Sequence, residues 1–181
     1  MFDADAGMRG LLLWALPMAL LLMSSCQSTK DKSMHSMERG AARASDIEAV
    51  LDDFHDAAAR ADSARYFAHF TDDAIFLGTD PNERWDLDQF KAFAAPHFDA
   101  GTGWTYVAIS RHVSFGSAGD TAWFDERLEN ASYGTVRGTG ALVWSAGAWK
   151  LAQYNLTFEV PNDLAKELVA KIRAAEAPAK E

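Results

Sequence analysis

WTYVAISRHVSFGSAGDTAWFDERLENASYGTVRGTGALVWSAGAWKLAQYNLTF, running from Trp104 to Phe158, reads as four strands folded back on one another. Trp104–Phe115 alternates, with Val107, Ile109, Val113 and Phe115 on one face and Tyr106, Ser110, His112 and Ser114 on the other. Period two over that length predicts a half-buried strand. Ser117-Ala118-Gly119-Asp120 predicts a turn. Thr121–Glu129 follows as a second strand, with Ala122, Phe124 and Leu128 on its apolar face. A turn centred between Ala118 and Gly119 places Val113 opposite Phe124 and Ile109 opposite Leu128. This register keeps both apolar sets on one side, because a one-residue slip flips every side chain. It also sets Arg111 opposite Glu126, in the middle of those sets. A charge on a core face is costly unless paired. The two therefore form either a pair at the sheet rim with heads in water or a charged pair at the bottom of a pocket.

Thr135–Ser145 and Ala148–Phe158 predict the third and fourth strands, joined by a turn at Ser145-Ala146-Gly147-Ala148. Pairing Trp144 with Trp149 sets Leu142 opposite Leu151, Gly140 near Gln153 and Gly138 near Asn155. Polar side chains beside residues that have none leave room for a ligand. The same glycines would equally permit a strong twist or a bulge.

The chain before Trp104 is helical in pattern. Ser45-Asp46-Ile47-Glu48 reads as a capping box. It opens a helix whose apolar stripe is Ile47, Val50, Leu51, Phe54, Ala58 and Ala61. Asp52, Asp53, His55 and Asp56 point elsewhere and read as a solvated face. Asp62 caps a short helix, Ser63–Phe70, with Tyr66 on its apolar side. Ala74–Leu77 is a short strand, and Gly78–Trp85 is a loop that carries Asp80, Glu83, Arg84 and Trp85 together. Asp86 and Gln89 box the start of a helix to about Ala95, which Pro96 ends or kinks. His97 continues the apolar stripe of Leu87, Phe90 and Ala94, and reads either as a core or rim histidine or as an acid/base group. A last helix starts at Pro161-Asn162-Asp163, and Leu164, Leu168, Val169 and Ile172 can dock it.

At 181 residues the chain holds one domain plus extensions. A net charge of -9 with no basic stripe argues against a nucleic-acid partner. No phosphate loop, zinc spacing or Ser/His/Asp constellation stands out, and neither a metal nor a cofactor is expected. Leu11–Met23 is apolar but too short to span a bilayer as a helix. Small residues and Cys26, the single cysteine, follow it. This is the shape of a secretory signal peptide. Asp3 and Asp5 do not suit such a start, so translation is expected to begin at Met8. Met23-Ser24-Ser25-Cys26 resembles the bacterial lipobox, which implies a lipid on Cys26. The expected location is the bacterial cell envelope, lipid-anchored, at the periplasmic side of the outer membrane in preference to the inner membrane. The chain then divides into a signal peptide over 1–25, a flexible tether over 26–44, a domain over 45–160 and a C-terminal helix and tail over 161–181.

The order of elements, with the strings Thr-Asp-Asp-Ala-Ile-Phe, Gly-Thr-Asp-Pro-Asn-Glu-Arg-Trp, Ala-Trp-Phe-Asp-Glu and Trp-Lys-Leu-Ala-Gln-Tyr-Asn-Leu-Thr, resembles the SnoaL-like branch of the nuclear transport factor two-like superfamily. The resemblance covers roughly Ser45–Phe158. It implies an α+β cone, with N-terminal helices packed on a curved antiparallel sheet around an apolar pocket. It implies that Trp149, Leu151, Gln153 and Asn155 face inward. Asn155 stands where relatives often have His, and an ungapped match puts Gly78 where the isomerases have their general base. Members range from cyclases, isomerases and dehydratases to binding and assembly domains, so the fold leaves function open.

Three functions follow as expectations. In the first, the domain binds a small apolar or polyketide-like molecule, with Tyr66, Trp85, Arg111, Gln153 and Asn155 as ligand-binding residues. In the second it is a cyclase, isomerase or dehydratase, with Glu126 as acid/base and His97 or Tyr66 as partner. In the third it is an assembly module, forming a homodimer through an outer sheet face that carries Tyr106, Trp123 and Tyr154 among Asp125 and Arg127.

Overall fold

The computed structural model describes residues 43–176. The signal segment, the Met8 start, Cys26 and most of the tether lie outside these residues. Among the described residues no helix is long and apolar enough to cross a membrane.

Helix α1 covers 43–59. It is already formed two residues before Ser45, so Ser45 does not cap it; Arg43 and Ala44 are themselves good helix formers. Its stripe is buried as the spacing requires, with Ile47, Leu51, Phe54 and Ala58 in the core. Helix α2 (Ser63–Phe67) is capped by Asp62, whose carboxylate accepts from the Arg65 backbone N–H. Arg65 reaches back to both Asp53 and Asp56 of α1, the latter at 2.7 Å. These acids therefore tie two helices together instead of forming a plain solvated face.

Strands β1 (Phe70–Leu77) and β2 (Arg84–Asp86) pair antiparallel, and β2 occupies the end of the stretch expected as loop. Helix α3 (Leu87–Asp99) starts in the expected Asp86–Gln89 box. It runs through Pro96 to Asp99, because a proline in the last turn forfeits a single intrahelical hydrogen bond. Then come β3 (Val107–Phe115), β4 (Thr121–Asn130), β5 (Gly134–Ser145) and β6 (Ala148–Phe158). The β5–β6 turn places Ala146 and Gly147 at positive φ, the geometry that a two-residue hairpin needs.

The six strands lie in the order β2-β1-β6-β5-β4-β3. The expected all-antiparallel sheet is corrected in one place: β1 runs parallel to β6. The chain makes β1 and β2 at one edge, then returns through α3 to begin the meander at the other edge. That crossover sets β1 beside the last strand in the same direction. The sheet is curved, mixed and open, with the core between its inner face and the helices.

Arg111 pairs with Glu126 and Val113 with Phe124, as read from the sequence. Further along, β3 bulges between Ala108 and Ser110, so Leu128 meets Ala108 and not Ile109. Val107 and Ile109 consequently leave the core and are exposed. A second bulge, at Ala152, changes more. Leu151 pairs with Leu142 as expected, but Gln153 then pairs with Ala141 and Tyr154 with Gly140. Beyond Ala152 every side chain of β6 has changed face. Tyr154 and Leu156 are buried, while Gln153 is exposed on the outside.

Helix α4 (Asn162–Glu176) buries none of its side chains. The docking expected of Leu164, Leu168, Val169 and Ile172 does not occur among the described residues; all four are exposed.

Candidate functional site

A half-open cavity of about 330 Å³ lies between the helices and the inner face of the sheet. Its walls are mostly aromatic. Phe54 comes from α1, Tyr66 from α2, Phe76 from β1, Trp85 from β2, Phe90 from α3 and Tyr154 from β6. Phe76 stacks on Phe90 with ring centroids 3.8 Å apart, and Trp85 stacks on Phe93 at 4.4 Å. The polar groups in this wall are few, and each has a definite place. His55 and Tyr154 lie deep, Tyr66 beside them, and Glu83, Thr79 and His97 line it elsewhere. The Glu83 carboxylate fills the space that a side chain on Gly78 would take.

Behind the wall sits Glu126, fully buried. Oε1 accepts the Tyr154 hydroxyl at 3.0 Å and faces His55 Nε2 at 2.9 Å. Oε2 accepts Arg111 Nε at 2.9 Å. Arg111 goes on to α1, donating to Asp52 Oδ1 at 2.9 Å and to the Glu48 carbonyl at 3.2 Å. Gly138 makes this meeting possible. It lies between the two strands, and a Cβ there would fall 2.5 Å from the Tyr154 hydroxyl and 2.9 Å from Glu126 Oε1.

Burial pushes the Glu126 carboxyl up, but the hydrogen bonds and charges of His55 and Arg111 outweigh it and hold the group below its ordinary range. Glu126 is therefore ionised. A carboxylate only accepts, so both neighbours on Oε1 must donate. His55 therefore donates through Nε2. Burial, reinforced by the Glu126 charge, lifts Tyr154 well above its usual value, so its hydroxyl stays protonated. Burial does the same to Tyr66. Among the described residues the Tyr66 hydroxyl has no aligned hydrogen-bond partner, although the Trp104 side chain approaches it and partly offsets the shift, its ring centroid 5.6 Å away.

The residues singled out from sequence fall into distinct places. Tyr66 and Trp85 line the cavity. Arg111 stands behind Glu126 and does not line it. His97 is exposed at the rim, beside Phe93 and Trp104, and does not touch Glu126. The expected partnership of Glu126 with His97 or Tyr66 is thus corrected to His55, Tyr154 and Arg111. Both oxygens of Glu126, expected as an acid/base, are occupied by His55, Tyr154 and Arg111. Gln153 and Asn155 point outward because of the Ala152 bulge. Of the three aromatics assigned to the outer face, only Trp123 is there; Tyr106 and Tyr154 line the cavity. His55 was missed, and its position four residues after Leu51 was the available signal, since i and i+4 share a helix face. The acids on both sides of it pointed the other way.

No curated protein matches the chain. Solved structures similar to it include a nuclear transport factor two-like protein of unknown function from Pseudomonas putida, with 17% identity, TM-score 0.56 and 68% of this chain against 91% of that one. A nuclear transport factor two-like protein from Cytophaga hutchinsonii has 16% identity and TM-score 0.52, with 62% and 95% covered. A protein of unknown function with a cystatin-like fold, from Nostoc punctiforme, has 15% identity and TM-score 0.53, with 63% and 89% covered. At these identities the likeness shows the fold alone. The family model described as "SnoaL-like domain" matches residues 47–161, more than half of the chain. With the helices, the curved sheet and the cavity where that match lies, the chain belongs to the SnoaL-like domain family.

Proposed function

We propose that this domain is a binding module. It takes a small, partly apolar, ring-containing molecule of polyketide-like chemistry into the aromatic cavity, held at the cell envelope by a lipid on Cys26. The Tyr66 hydroxyl carries this reading. It is buried with no acceptor for its proton among the described residues, in a wall that is mostly aromatic. Leaving such a group unsatisfied costs about 1–3 kcal/mol, and an acceptor oxygen on a ligand recovers it. Native mass spectrometry of the full-length protein, purified from its own membranes, should release a co-purified molecule of this class. Tyr66→Phe should weaken its binding about tenfold, or roughly 1.4 kcal/mol. A protein that arrives bare and binds no cyclic ketone or phenol below about 1 mM sinks the reading.

A second reading is favoured by the bond between His55 and Glu126. A carboxylate that fixes the tautomer of a cavity-lining histidine is the arrangement of an oriented base. His55 then replaces Glu126 as the proton-transfer group, and Glu126 becomes its positioning residue. Deuterium exchange of a bound cyclic ketone should exceed the buffer rate by about 100-fold or more, and His55→Gln should return it to background. Ketone that binds but exchanges at the buffer rate removes this reading and leaves the first intact.

The homodimer through the outer sheet face also stands as a proposal. It is supported by Trp123, which is 51% exposed there, with Asp125 and Arg127 on the same face. Trp123→Glu should give monomers in sedimentation; an unchanged oligomer would place the interface elsewhere.

A further inference from the structure

A second hollow adjoins the cavity. It is an open groove between the segment 103–107 and the end of β4 with the turn after it, 129–133. Gly103, Trp104, Tyr106 and Tyr133 line both hollows and form their common rim. The groove has a built floor. Asn130 donates through Nδ2 to the Thr105 carbonyl at 2.9 Å, while its Oδ1 accepts the backbone N–H groups of Ser132 and Tyr133 at 2.9 and 3.0 Å. That side chain ties the turn to the segment 103–107 and keeps one Nδ2 hydrogen over. Trp104, Val107, Ala131 and Tyr133 supply the apolar part of the groove, beside the polar Thr105, Glu129 and Ser132. Val107 is 58% exposed and Tyr133 is 53% exposed, both high for groups of this size. The β3 bulge is what brings Val107 out of the core.

We infer that the ligand of the cavity is longer than the cavity, with a ring head among the aromatic walls and an aliphatic tail that leaves past Tyr133 along this groove. This rests on the binding reading above. A head alone leaves the groove bare. A tail of a few carbons covers Val107 and Tyr133 without asking for any further hydrogen bond. The segment 103–107 spans at most about 13 Å of extended backbone at roughly 3.3 Å per residue, so the tail is short, unlike a full membrane acyl chain.

The 4-alkylphenols from phenol to 4-hexylphenol test this, by titration calorimetry on the full-length protein. Affinity should rise about three- to fourfold for each added carbon, as expected for a methylene taken out of water. Ala131→Trp fills the groove from an exposed position, so it should leave phenol binding unchanged and flatten that rise. A series that binds with no dependence on chain length overturns the inference and leaves the cavity reading standing. An equal rise in Ala131→Trp also overturns it, since the tail then lies elsewhere. If no member of the series binds, the cavity reading itself falls, and the tail with it.

Discussion

Glu126→Leu is expected to lower folding stability by about 3–5 kcal/mol, the range for breaking a buried charge pair from one side. Urea denaturation of the full-length protein would measure it. Three groups lose their acceptor together. Arg111 keeps Asp52 and the Glu48 carbonyl, but its contact into the core is gone. The Tyr154 hydroxyl is left buried with nothing to donate to, and so is His55 Nε2. A loss below about 1 kcal/mol would mean that the four side chains are not coupled as described. The same carboxyl sets a pH dependence. Its folded-state pKa lies below the ordinary 4.5. The unfolded chain therefore binds the proton more readily, and the stabilisation is complete above pH 4.5. It fades as pH falls through the lowered folded value. Stability measured downward from pH 6 should thus drop more steeply in the wild type than in Glu126→Leu.

Gly103→Ala is the second large effect, expected at about 3 kcal/mol, the upper end of the usual cost of overpacking. The segment after α3 passes directly over the end of α1. A Cβ on Gly103 would overlap the Ala58 carbonyl oxygen outright and sit 3.0 Å from the carbonyl carbon and 3.1 Å from the Ala61 nitrogen. These are backbone atoms, so no side chain can rotate away. Either the helix end or the segment must shift, and Trp104 shifts with it. The cavity wall then changes along with stability. Thermal unfolding and ligand titration on one variant would read both; an unchanged melting temperature would show that the segment rides free of α1.

The helices, the meander and its first pairings were legible because their cause is local. Alternation, turn residues and caps act over a few positions, and the turn centred between Ala118 and Gly119 set Arg111 against Glu126 with Phe124 and Leu128 inside. What stayed hidden depends on contacts that no window of sequence contains. Nothing near Ala152 announces a bulge, since alanine suits an ordinary strand; the neighbouring parallel strand β1 has its own register break at the same level, between Phe70 and Ile75. From that point the inner and outer sets of β6 were exchanged, which removed Gln153 and Asn155 from the cavity and delivered Tyr154. His55 shows the opposite failure. Its helical position pointed inward, but a charged neighbourhood suggested water. A buried carboxylate from a strand 71 residues away settled the matter.

The Ala152 bulge also bears on how such a pocket changes over generations. Strand β6 carries two complete linings, one residue out of phase: tyrosine and leucine on one, glutamine and asparagine on the other. Ordinary point substitution alters a lining one side chain at a time. Deleting one residue at 152 would swap the whole set in a single event, turning an aromatic wall into an amide one while the scaffold around it stayed the same. Position-by-position alignment across such an indel compares inward residues with outward ones. Relatives that differ here will therefore look more divergent in sequence than their pockets are, or more alike.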